Sequence, residues 1–98
     1  MHSHNLRIES FKKNYNLSEE EAKSAIELLD NFLPHGYSEQ IIVLALRNKE
    51  NITANSVRLI KAGNYKNARV FKYLIEFAAE KKAIELAAHV DIKKTISA

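Results

Sequence analysis

The chain has 98 residues, 46% of them hydrophobic and 28% charged, with two Gly, one Pro and no Cys, the size and balance of one ordinary globular domain, residues 1–98. The missing cysteines exclude disulfides, thiolate-held zinc, iron–sulfur clusters and a thiol nucleophile, and the scarcity of turn residues argues against a turn-rich β sandwich. A net charge of +3 conceals an uneven distribution, because residues 47–72 gather seven cations, Arg47, Lys49, Arg58, Lys61, Lys66, Arg69 and Lys72, against the single acid Glu50.

The first residues, Met1 to Lys13, carry charges where a secretory leader would be apolar. The longest unbroken apolar run, Ile41 to Leu46, is six residues, against about 20 for a bilayer span. A cytoplasmic protein with no membrane partner is expected. Leu6, Ile8, Phe11 and Tyr15 form a sparse helical stripe, with Glu9 four residues before Lys13 for a surface pair. Ser18-Glu19-Glu20-Glu21 is a capping-box start with acids at the positive end of the helix dipole. Ala22, Ala25, Ile26, Leu29, Phe32 and Leu33 follow at three- and four-residue spacing until Pro34 and Gly36, which predicts a helix over 18–33.

Ser38 is placed to cap a segment over 38–46 that is apolar on every side, the pattern of a central helix; a buried strand is the other reading of so short a run. Residues 47–51 are polar and form a connector. Thr53 is the expected N-cap of a short helix over 53–62 bearing Val57, Leu59 and Ile60, with Gly63 at the left-handed stop. Asn67 caps a last long helix whose apolar stripe, from Val70 and Phe71 to Ile84 and Ala87, reaches about residue 88, within a supporting element set at 67–90. The fold class is therefore all-α: about five helices in a compact bundle, with 1–33 as an N-terminal pair.

An apolar helix, a short polar turn, a short capped helix and a long packing helix, in that order and with cations around the short one, make the pattern of a helix-turn-helix over 38–62. A short helix fits the major groove, where its N-terminal side chains meet base edges and its flanks meet phosphates. With Val57 and Ile60 turned to the core, Ala54, Asn55, Ser56, Arg58 and Lys61 are left outward. Ala54, Asn55, Ser56 and Arg58 are the candidate base readers, Asn55 suiting adenine and Arg58 guanine. Arg47, Lys49, Lys61, Lys66, Asn67 and Arg69 are the candidate phosphate contacts.

The stretch Leu33-Pro34-x-Gly36-Tyr37, the block from Ser56 to Asn67, and Val70-Phe71-x-x-Leu74-Ile75-x-x-Ala78 resemble small phage-type Cro/C1-like helix-turn-helix regulators of Bacteroidetes over about residues 33–82. The resemblance implies transcription regulation through sequence-specific binding of double-stranded DNA, commonly as a dimer, with Thr53 to Lys61 as the recognition helix. The turn at Arg47–Asn51 is longer than the family's and lacks its Gly.

Other features have plainer explanations. His2 and His4 lack the further ligands that zinc needs, so no metal or cofactor is expected. His35 falls in a connector, and His89 follows Glu85 by four residues as a surface pair. The Glu19–Glu21 run is accounted for by capping, and no nucleophile elbow, P-loop or HExxH appears, so an enzyme is not expected. Phe71, Tyr73 and Phe77 are core by default, and Tyr65 is expected to pack against the last helix. Ile84, Leu86, Ala87, Ala88 and Val90 offer a surface for a homodimer, with the 18–33 helix as a second contact. The alternative function is a helical protein-interaction module, an adaptor or phage-type inhibitor, whose basic segment binds an acidic protein.

Overall fold

The computed structural model describes residues 2–97, with side chains from Asn5 onward. They form five helices, α1 (His2–Tyr15), α2 (Glu19–Phe32), α3 (Tyr37–Arg47), α4 (Ala54–Ala62) and α5 (Ala68–Ser97), and no strand occurs among them. The helical reading of the 38–46 segment thus holds.

Local chemistry explains most boundaries. Ser18 accepts a hydrogen bond from the Glu21 N–H at 3.1 Å and its own N–H donates to the Glu21 carboxylate at 2.8 Å, a complete capping box. Lys23 beside it holds the Glu19 carboxyl below its ordinary range. The α1 end turns through Asn16 in the left-handed region, φ 54°, so that the Leu17 N–H reaches the Lys12 carbonyl. Two expectations shift here: Glu9 pairs with Lys12 rather than Lys13, at 3.4 Å, and Leu6 is exposed.

Helix α3 begins one residue before Ser38, after Gly36 at φ 76°, with no side-chain cap. It is not central. Ile41 and Ala45 are buried, but Val43 and Leu46 are about half exposed, because α3 packs on α4 and α5 along one side only. Six consecutive apolar residues read as burial on every side, whereas a helix at the margin of a small bundle has neighbours for only part of its circumference.

The core is assembled around α5, which lies against α2, α3 and α4. Val70, Leu74 and Ala78 are fully buried in it, with Phe11 of α1, Ile41 of α3 and Val57 and Ile60 of α4. Phe11 meets Phe71 edge-on at 4.9 Å between centroids, and Tyr15 stacks on Phe71 at 4.0 Å. Tyr73 and Phe77 pack at the edge of this core, half-buried. Two further corrections concern the C-terminal third. Tyr65 is 53% exposed instead of packed, and α5 runs nine residues past 88, to Ser97, because neither Gly nor Pro interrupts it. Glu85 pairs with Lys81 at 3.6 Å, where the sequence suggested His89. No helix is long and apolar enough to cross a membrane among the described residues.

Candidate nucleic-acid interface

Helix α4 is set by its ends. The Thr53 hydroxyl oxygen accepts from the Ser56 N–H at 3.1 Å, and its proton is directed to the Ser56 hydroxyl at 3.1 Å. At the other end Gly63, at φ 88°, lets the Asn64 N–H return to the Leu59 carbonyl at 2.9 Å. A Cβ on Gly63 would stand 3.3 Å from Ser10 Cβ and 3.4 Å from Arg7 Cγ, so glycine also admits α1 against this end. Arg7 completes the contact. Its Nε–H donates to the Lys61 carbonyl at 3.1 Å, capping the negative end of the helix, and its Nη1 binds both Asp30 carboxylate oxygens at 2.9 and 3.0 Å.

With Val57 and Ile60 fully buried, the outward side of α4 consists of Asn55, Arg58, Leu59 and Ala62, all exposed. Two of the four candidate base readers, Asn55 and Arg58, lie there. Ala54 and Ser56 are half-buried at its margin, and the Ser56 hydroxyl is drawn into the Thr53 cap. Leu59, which the sequence reading assigned to neither side, takes their place on the outward side. At 100° per residue Leu59 stands two positions from Val57, almost across the helix, so the periodicity did contain that signal. Arg58 has no acidic partner among the described residues.

The candidate phosphate contacts divide. Lys61 is half-buried, its ammonium 5.4 Å from the centroid of the Tyr37 ring. Together with Arg58 it borders a cleft of about 620 Å³ that also receives Arg7, Ser10, Tyr37 and Asp30. Arg7 is a cationic neighbour of α4 that the sequence did not indicate, because it lies 54 positions from Lys61 in the chain. The other candidates surround the α3–α4 link and the start of α5. The Asn67 amide donates to the Glu50 carboxylate at 2.6 Å, and Arg69 approaches the other oxygen at 3.5 Å. Lys49 and Lys66, each next in sequence to one end of that bond, are exposed, as is Arg47.

Asn67 itself is occupied. Its side-chain oxygen caps Val70 at 3.1 Å, its amide holds Glu50, and its backbone N–H donates to the Tyr15 hydroxyl at 3.2 Å. The expected phosphate contact from Asn67 gives way to a structural one, since an N-cap is worth about 1 kcal/mol to its own helix. Burial raises the Tyr15 pKa above its ordinary value, and the hydrogen bond from Asn67 pulls it the other way.

Two hydrogen-bonded contacts tie the link to α5: Glu50 with Asn67, and the Asn48 amide with the Tyr73 hydroxyl at 2.6 Å. Between them Lys49 adopts the left-handed conformation, φ 62°, that a glycine would accept without strain. Among the described residues no group of three or more His, Asp or Glu is placed to hold a metal ion, and the His2 and His4 side chains lie outside those described. No family model, characterised protein or solved structure matches the chain. The likeness to Cro/C1-like regulators accordingly rests on the residues quoted above.

Proposed function

We propose that the chain is a double-stranded DNA-binding transcriptional regulator of helix-turn-helix type, acting in the cytoplasm without catalysis, in which α3 and α4 form the groove-reading pair and α5 supports them. The observation that carries this is the outward side of α4. It presents Asn55, an unpaired Arg58 and Leu59 on a helix whose far side is locked in the core. Asn55 and Arg58 have the donor geometry for adenine and guanine edges, and Leu59 suits a thymine methyl. Lys61, Lys66, Arg47 and Lys49 supply sequence-independent contacts to the backbone. Binding at a promoter then acts by occupancy.

Selection from a random duplex library at about 150 mM salt tests the proposal. An enriched motif is expected, with Arg58→Ala relaxing preference at one position and Lys66→Ala weakening all duplexes alike. If about five phosphates are neutralised, log K falls with log salt at a slope of roughly −4 to −5. No enrichment and no salt-dependent duplex binding would overturn it. Val43 and Leu46, half exposed on α3, favour the second reading, a protein-interaction module. That reading prevails if Arg58→Ala and Lys66→Ala leave duplex affinity unchanged and abolish a protein complex.

A further inference from the structure

Every residue of α5 from 83 to 97 is exposed, about 22 Å of helix at 1.5 Å per residue. Within it Ile84, Ile92 and Ile96 are 61%, 55% and 79% exposed. Their positions on the helix matter more than their number. At 100° per residue, Ile84, Ala88, Ile92 and Ile96 fall in the same sector as Val70, Leu74 and Ala78, which are fully buried among the other helices. The stripe that faces the core therefore continues beyond the core with no described residue laid on it.

We propose that this stripe is covered by the same stripe of a second copy, the two helices lying antiparallel about a two-fold axis at the level of residue 90. The four positions are symmetric about 90, so Ile84 of one copy meets Ile96 of the other and Ala88 meets Ile92. A small side chain opposite a large one at the centre lets the axes approach closely. Rows of every fourth residue pack at a crossing angle of about −50°, which puts the Ala88–Ile92 pairs at the crossing and the outer isoleucines at its rim. Charge agrees with this arrangement. Glu85 and Lys93 each follow a stripe residue by one position and lie on the same flank, so antiparallel pairing sets Glu85 against Lys93 of the other copy, twice by symmetry. Space agrees as well. Ala83 falls opposite Ser97, and each bundle sits beyond the tip of the other's helix. A parallel partner would run into the helices that cover the stripe below residue 82.

The interface is independent of what α4 binds, and its test contains no DNA. Sedimentation equilibrium of the full chain, up to about 1 mM, is expected to show the mass of two chains. Ile92→Asp buries an unpaired carboxylate in the interface and raises the dissociation constant by about a hundredfold or more. Its thermal transition at low concentration stays unchanged, because Ile92 is exposed and stands outside the core within one chain. Glu85→Lys weakens association by about threefold to tenfold, and adding Lys93→Glu restores it. The chain has no cysteine of its own, so Ala88→Cys mixed with Ile92→Cys reports direction: the mixed disulfide forms faster than either homodimeric one. A single-chain mass for the unaltered protein at 1 mM, or a dimer that survives Ile92→Asp, overturns the proposal.

Discussion

The two halves of α5 carry the same kind of apolar stripe and meet opposite fates. In the first half Val70, Leu74 and Ala78 have no solvent exposure, held by α1, α2, α3 and α4. In the second Ile84, Ile92 and Ile96 are open to water. The difference teaches that helical periodicity reports which side of a helix is available for burial, whereas burial itself depends on how far the neighbouring helices extend. Helix α2 stops at Phe32, whose ring lies 5.6 Å from the Lys82 ammonium, and beyond that point no other described residue buries α5, which is exposed from 83 to 97.

The largest expected effect separates the halves directly. Leu74→Ala removes a fully buried side chain and is expected to cost about 2–5 kcal/mol. Ile92→Ala, at a concentration where the chain is monomeric, is expected to change unfolding by less than about 0.5 kcal/mol. Denaturant titration of both variants checks this, and equal losses would break the distinction between the halves.

Gly63→Ala probes what seats the anchored half. Alanine there must hold φ near 88° and press on Ser10 and Arg7 of α1, the helix that brings Phe11 and Tyr15 onto Phe71. A loss of about 1–3 kcal/mol is expected by the same titration.

The smallest effect has the opposite sign. Lys49→Gly relieves a left-handed lysine in the link fastened to α5 and is expected to stabilise the fold by about 0.5–1 kcal/mol. The same substitution removes a proposed phosphate contact, so its duplex binding should show a salt slope shallower by about 1. Stabilisation without that change in slope would sharpen the picture by making Lys49 structural alone.

Much of the fold was legible in the residues because its determinants act within a few positions of one another. The Ser18 capping box, the Thr53 cap, the Gly63 stop and the Asn67 cap each depend on a side chain or a φ value paired with a backbone group close in sequence. The spacing of Val57 and Ile60 likewise settled which side of α4 is buried. The candidate site was legible to a lesser degree. Asn55 and Arg58 are legible in the spacing, Leu59 is missing from the outward set, and Asn67 is expected to meet a ligand although the fold uses all its polar groups.

Sequence by itself determined five helices, the caps at Ser18, Thr53 and Asn67 and the stop at Gly63, the helical class and the concentration of cations over 47–72. Tertiary structure alone decided that α3 is marginal rather than central, that Glu50 is bound to Asn67 and faced by Arg69, that Arg7 joins the α4 cleft, and that the end of α5 stands uncovered. The physical reason is range. Capping and periodicity act over about four residues along the chain, whereas burial, a hydrogen bond across 54 positions and the reach of one helix beyond another depend on where the packed bundle ends.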